Sequence, residues 1–200
     1  KNGTSRIDTI FLTHSHYNHI SGLITILKRF KVKRVYYNGQ NYNDDLVKEF
    51  FHIIRKKGIP LKYVAYNEII EYNDVRFHIF NPKTMRGNID SNSSVMKVSY
   101  GNFGILFTGD IGYEVQEELG REDIASNILQ IPSHGKGVIS PKFLYKVAPE
   151  YGIISTKFGE RKLQERHNKM KFFSTSKNGA IVITTDGKSF GIESMRGGKQ

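Results

Sequence analysis

Residues 13–22 read Thr-His-Ser-His-Tyr-Asn-His-Ile-Ser-Gly and put three histidines, His14, His16 and His19, within six positions. Imidazole nitrogens gathered by so short a segment are ready ligands for zinc, manganese or iron. Asn18 stands where a carboxylate would complete a second metal site. Its amide is neutral, cannot act as a base and is a weak ligand for a hard cation. Two more candidate ligands close later apolar runs: Asp110 follows Leu106-Phe107-Thr108-Gly109, and His134 follows Ile131-Pro132-Ser133.

The surrounding pattern says how such residues would be positioned. The run Ile7 to Leu12 predicts a strand that stops at Thr13 and leaves the histidines on the loop beyond it. A helix is expected from near Ser21-Gly22 through Phe30, and a strand over Val32 to Tyr37. Asn43-Asp44 is a cap signal for a helix carrying Leu46, Val47, Phe50, Phe51 and Ile54, which Gly58-Ile59-Pro60 ends. Asp44-Asp45 then reads as a charge pair at a helix start, not a catalytic dyad. Leu61 to Ala65 and the alternating Val75, Phe77, Ile79 are strands, and a polar loop over 82–92 comes after them. Ser94 to Tyr100, the turn Gly101-Asn102 and Phe103 to Thr108 form a hairpin. Helices over 113–119, 141–147 and 160–169 alternate with strands over 127–131 and 151–155, and three short strands close the chain. Helices and strands alternate as in a layered α/β fold, and chemistry in such folds gathers on loops leaving strand ends. His14/His16/His19, Asp110 and His134 all fall there.

Composition bounds the classes. The 200 residues suit one domain with a real core, and 38% hydrophobic content argues for folding rather than disorder. No run of about 18 apolar residues is present, so no membrane-spanning helix is expected. Without cysteine there is neither a disulfide framework nor a thiolate metal site. Thirty Lys and Arg against 19 Asp and Glu give a formal charge of +11. That excess would draw polyanions such as nucleic acid to the surface, or it is a solubility feature. The basic residues are spread over Lys28-Arg29, Lys33-Arg34, Arg55-Lys56-Lys57, Arg161-Lys162 and Arg166, with no single basic arm. His52, His78 and His167 read as satisfied core or surface histidines.

Residues 14–22 resemble, at every position except Asn18, the His-x-His-x-Asp-His loop of the metallo-β-lactamase superfamily. Within it the chain is most similar to the hydrolase domain of ComEC-type DNA-uptake competence proteins. Asn92-Ser93-Ser94-Val95 with its hairpin, Leu106 to Ile111, Ile131-Pro132-Ser133-His134-Gly135 and Asn178 to Gly187 resemble further segments of that branch, in the same order. The resemblance implies an αββα four-layer sandwich whose first strands would lie upstream of Lys1, so that 1–200 is expected to be a single domain incomplete at its N-terminus. It also implies two metal ions: His14, His16 and a histidine of the 131–135 loop on the first, His19 and residue 18 on the second, and Asp110 bridging. Three departures touch this centre. Asn18 replaces the carboxylate, Ser133 replaces the first of two adjacent histidines, and Lys157 to Arg161 occupies the place of a late Gly-His-Pro loop, with His167 too far along to substitute.

The expectation is a metal-dependent, nuclease-like hydrolase acting on phosphodiesters, that is, DNA, with a partly degenerate centre. Its metal ligands would be His14, His16, His19, Asp110 and His134, its catalytic positions Asp110 and Asn18, and its cofactor one or two Zn²⁺ or Mn²⁺ ions. The alternatives are a catalytically inactive DNA- or partner-binding domain of the same fold, and a stand-alone small-molecule hydrolase. The resemblance further implies a bacterial protein, either soluble or tethered as a soluble domain to a membrane-embedded competence protein.

Overall fold

The computed structural model describes residues 5–155, 170–196 and 198–199. The chain divides into two compact units, one of residues 1–66 and 81–94 and one of 67–80 and 95–200. The helix expected over 160–169, with His167, Arg161, Lys162 and Arg166, and the stretch Lys157 to Arg161 lie outside the described residues.

In the first unit, β1 (Arg6–Ile7) pairs in parallel with β3 (Lys31–Val32), and β2 (Ile10–Leu12) with β4 (Val35–Tyr37). β5 (Leu61–Tyr63) adds to the edge of β4, also in parallel. Each of the two expected strands is thus a pair of shorter ones. The breaks fall at Asp8-Thr9 and Lys33-Arg34, where charge replaces the apolar run. The Asp8 carboxyl is held below its ordinary range, first by a hydrogen bond from Arg6 and then by the charges of Arg6, Lys33 and Arg34.

The crossovers between the parallel strands are α1 (Tyr17–Arg29) and α2 (Asp45–Lys56). Ile20, Ile24 and Leu27 of α1 and Val47, Phe50, Ile53 and Ile54 of α2 recur at helical spacing and are buried with Ile10, Leu12, Val35 and Tyr37. Asp44 caps α2 by accepting from the Leu46 amide at 2.9 Å, as its position before the apolar pattern implied.

α1 corrects the sequence reading. It starts four residues before Ser21-Gly22, because Ile20 already belongs to the buried stripe. Gly22 has open space around it and is tolerated mid-helix, at a cost of about 1 kcal/mol relative to alanine. Asn18 and His19 therefore ride the first helical turn instead of a loop.

The second unit holds a seven-stranded sheet in the order β12-β11-β10-β9-β8-β7-β6. Its strands are β6 (Ile69–Tyr72), β7 (Val75–Asn81), β8 (Val95–Tyr100), β9 (Phe103–Phe107), β10 (Ile128–Gln130), β11 (Tyr151–Ile154) and β12 (Lys171–Ser174). β6–β7 and β8–β9 are antiparallel hairpins, while β9 to β12 run parallel. A smaller sheet follows, of β13 (Ile181–Thr185), β14 (Phe190–Ser194) and β15 (Gly198–Lys199).

The central strands are apolar on both faces because both are covered. Leu106, Leu129, Ile154 and Phe172 point to one side, into a core with Val115, Leu119, Phe143 and Val147 of α3 (Tyr113–Leu119) and α4 (Pro141–Val147). Their neighbours Ile105, Ile128, Ile153 and Phe173 point to the other side and pack with Ile181, Ile183 and Ile192 of the small sheet. Period-two alternation thus sorts one continuous hydrophobic run into two cores. Among the described residues no helix is long and apolar enough to cross a membrane.

Leu106 is fully buried in the middle of the large sheet. Leu106→Ala should lower unfolding free energy by about 2–5 kcal/mol, read from urea denaturation.

Candidate metal centre

β2 ends at Leu12, and the next residues are turned inward. His14 and Ser15 are buried, His16 is half-buried and Tyr17 is exposed. The His14 imidazole is fully enclosed, so both of its nitrogens need partners. Its Nδ1 lies 3.1 Å from the Thr13 hydroxyl and 3.2 Å from the Ser93 hydroxyl. A hydroxyl can accept the Nδ1 proton, which selects the tautomer that presents the Nε2 lone pair on the other side of the ring. Partners behind a histidine that fix which nitrogen is offered are a regular feature of metal sites.

The His16 ring centroid is 5.2 Å and the His19 centroid 4.1 Å from that of His14, so the three imidazoles of the motif lie side by side. The helix start at Tyr17 produces this grouping. The His16 carbonyl accepts from the His19 amide at 2.9 Å and from the Ile20 amide at 3.1 Å, and this first turn brings His19 back toward His14. Asn18, on the same turn, is exposed.

Asp90 joins the cluster, and sequence reasoning passed over it. Its Oδ1 lies 2.8 Å from His16 Nδ1 and 3.7 Å from His14 Nε2. Ligand atoms of His14, His16 and Asp90 all fall within 4.8 Å of one another. Two nitrogens and a carboxylate oxygen at that separation fit a single divalent ion.

Asp90 reaches the histidines because buried asparagines hold the 81–94 segment. Asn81 Nδ2 donates to the Ser91 and Ser93 carbonyls at 2.9 and 2.8 Å, and Asn38 Nδ2 to the Asn92 carbonyl at 2.6 Å. Asn92 Nδ2 donates to the Arg86 carbonyl and its Oδ1 accepts from the Arg86 amide, both at 2.7 Å. The Ser94 amide donates to the Thr13 carbonyl at 2.9 Å, tying the segment to the histidine stretch. The available signal was an acid two residues before the Asn92-Ser93-Ser94 segment, inside what read as a featureless polar loop.

In the second unit, Asp110 and His134 face each other, with Oδ2 and Nε2 3.5 Å apart and both side chains largely buried. Gln130 builds this corner. Its Oε1 accepts from the Thr108 and Gly109 amides at 2.9 and 3.0 Å, while its Nε2 donates to the Ile131 carbonyl at 2.8 Å. Gly109 takes φ +56°, an easy conformation for glycine. Ser133 and His134 adopt φ +50° and +54°, costly for non-glycine residues and tolerated where the surroundings over-determine the backbone. Ser133 supplies part of that hold. Its amide donates to the Gly109 carbonyl at 3.2 Å and its hydroxyl to the Asp110 carbonyl at 2.9 Å. Ser133 is thus a staple for the aspartate loop.

His52 is exposed on α2. His78 Nε2 meets Asn67 Oδ1 at 2.7 Å and its ring lies 4.1 Å from that of Phe80. Burial, aided by Lys97 and Arg76, pushes its pKa down and favours the neutral ring. A groove along α2 and β5 is lined by Tyr42, Lys48, Phe51, His52, Arg55 and Tyr63 among others, with Tyr42 and Tyr63 exposed.

Residues 3–156 match the family model of the metallo-β-lactamase superfamily. The chain belongs to that superfamily. Its members are mostly metal-dependent hydrolases, and the fold typically binds divalent metals. The chain is 26% identical over 192 residues to ComE operon protein 3 of Bacillus subtilis (strain 168), a match that takes in 90% of this chain and 25% of that protein. It therefore spans about a quarter of that relative's length. Among solved structures, the metallo-β-lactamase fold protein YhfI from Bacillus subtilis aligns with a TM-score of 0.57 at 12% identity, over 84% of this chain and 74% of the other. Igni18, a metallo hydrolase from Ignicoccus hospitalis KIN4/I, gives 0.57 at 12% identity over 84% and 76%. The E377D mutant of the β-hydroxylase CmlA gives 0.60 at 12% identity over 86% and 44%. At these identities the structures speak for the fold, which is the α/β metallo-β-lactamase class expected from the motif order.

Removing the Gln130 amide strands two backbone N–H groups. Gln130→Ala is expected to cost about 1–3 kcal/mol in urea unfolding, and Ser133→Ala, which removes one hydroxyl bond, about 0.5–1.5 kcal/mol.

Proposed function

We propose that this chain is a metal-dependent hydrolase that cleaves phosphodiester bonds in DNA. The observation that carries the reading is the buried His14 imidazole, backed at Nδ1 by two hydroxyls and grouped with His16 and His19. An enclosed ring oriented through one nitrogen suits ligation through the other. Zn²⁺ or Mn²⁺ is the cofactor this donor set favours. When bound, a divalent ion acidifies a coordinated water toward neutrality and offsets negative charge on the attacked phosphoryl group. The protein's own part is to hold the ligands in place. Thr13 and Ser93 orient His14, the first turn of α1 carries His19, and Gln130 and Ser133 fix the loop of Asp110 and His134, to which the family resemblance assigns ligand roles.

Support for a nucleic-acid substrate comes from charge and from the groove along α2. A formal charge of +11 draws a polyanion to the surface. Lys48 and Arg55 beside the exposed rings of Tyr42 and Tyr63 combine cations for phosphates with faces for bases, the pairing that single-strand binders use. The similarity to ComE operon protein 3 and the competence-type motif order point the same way, toward a role in DNA uptake beside a membrane-embedded partner.

A second reading rests on Asn18 and Ser133, which replace ligands of the two-metal pattern: the chain binds DNA or a partner without cleaving it. Elemental analysis separates the two. Tightly held metal with turnover excludes the inactive reading, and DNA binding in metal-free, inert protein favours it.

Turnover of single- and double-stranded DNA should appear with Zn²⁺ or Mn²⁺ and vanish with a chelator. His14→Ala should reduce kcat/KM by more than about 100-fold, because even the groups behind a metal ligand are worth roughly 10- to 100-fold. Absence of turnover with every metal, in folded protein, would overturn the catalytic reading. Lys48→Glu together with Arg55→Glu should weaken DNA binding and lower the salt slope of log K by about 0.7–0.9 per lost phosphate contact, in a fluorescence titration.

A further inference from the structure

We infer that Asp90 is a carboxylate ligand of the ion held by His14 and His16. The inference rests on the metal-dependent reading above and adds a residue and a division of labour to it. A hard or borderline divalent ion held by imidazoles alone lacks an anionic donor to offset its charge. In the superfamily pattern His14 and His16 share the first ion, whereas position 18, here an exposed asparagine on the first turn of α1, belongs with His19 to the second. Asp90 comes from a different part of the chain and arrives at His14 and His16.

The distances suit direct ligation. Two ligand atoms bound at about 2.1 Å to a tetrahedral ion lie about 3.4 Å apart. Asp90 Oδ1 stands 2.8 Å from one histidine nitrogen and 3.7 Å from the other, values that bracket that spacing. The carboxylate can reach both without backbone movement, since only its side-chain torsions need to turn. His14 has no such freedom, with its ring buried and its Nδ1 engaged by Thr13 and Ser93. Asp90 begins a single 3₁₀ turn, Asp90–Asn92, whose ends are held by Asn81, Asn38 and Asn92 itself. The Asp90 amide also donates to Asn88 Oδ1 at 2.8 Å, which fixes the approach to that turn. Such anchoring holds the backbone beneath a side chain that is itself 39% exposed and able to adjust. The fixed histidines and the anchored but adjustable carboxylate together make a centre with one anionic ligand delivered by the 81–94 segment.

The test is metal binding by the purified chain, followed by calorimetric titration with Zn²⁺ and by the visible spectrum of the Co²⁺-substituted protein. Asp90→Asn should weaken Zn²⁺ affinity by at least about 10-fold and shift the Co²⁺ bands, with its far-UV circular dichroism unchanged. Asp90→Glu should retain most of the affinity. Asp90→Ala should weaken binding at least as much as Asp90→Asn. A merely structural Asp90 would leave the Co²⁺ bands of folded protein in place, so the spectrum decides the matter even if Asp90→Asn lowers stability. Wild-type protein that binds Zn²⁺ while Asp90→Asn binds it equally well overturns this inference and leaves the hydrolase reading standing. Wild-type protein that binds no divalent ion overturns the hydrolase reading itself.

Discussion

A buried imidazole needs a partner on each nitrogen, and that requirement at His14 organises the first unit. Thr13 lies next to it in the chain, but Ser93 comes from 79 residues away. For its hydroxyl to reach Nδ1, the segment from Asn81 to Ser94 must be held against the end of β2. Its backbone is irregular there, so side chains must satisfy the amide and carbonyl groups that no strand or long helix pairs. Asn38, Asn81 and Asn92 do so, each meeting backbone groups at 2.6–2.9 Å. Asparagine suits the task because one short side chain both donates and accepts. The same anchoring that sets Ser93 behind His14 carries Asp90 to His16.

The second unit meets a comparable demand by other means. Gly109, Ser133 and His134 all have positive φ, so the corner near Asp110 is bent where a strand would otherwise run on. Left-handed serine and histidine cost free energy, and the cost is offset by a dense set of bonds from Gln130 and from Ser133 itself. Ser133 is therefore a structural member of this corner. Its hydroxyl bond to the Asp110 carbonyl ties the two loops of this corner together.

The two units also differ in how sequence patterns translate into burial. In α1 and α2 one stripe faces the sheet, and helical spacing alone identifies Ile20, Ile24 and Leu27, or Val47, Phe50 and Ile54. In β9 to β12 both faces are covered, so Leu106 and Ile105, or Phe172 and Phe173, enter different cores although they are sequence neighbours. Local pattern marks such strands as buried, while only the layers packed on each face say which residue goes where.

By itself the sequence determined what depends on neighbours along the chain. The Asp44 cap, the Gly101-Asn102 hairpin, the helices 113–119 and 141–147, and the spacing of His14, His16 and His19 are short-range features that short-range chemistry governs. The order of the later motifs carried the fold class and the family. Where the sequence reading missed, packing outweighed a local cue: burial of Ile20 extended α1 through Ser21-Gly22 to Tyr17, and charges at Asp8 and Lys33-Arg34 split each expected strand in two. The role of Asp90 could not be read locally, since a carboxylate in a polar loop looks like solvent-facing charge. It becomes a neighbour of His16 through a hydrogen-bond network whose members lie tens of residues apart, and only the tertiary structure brings such groups within 2.8 Å.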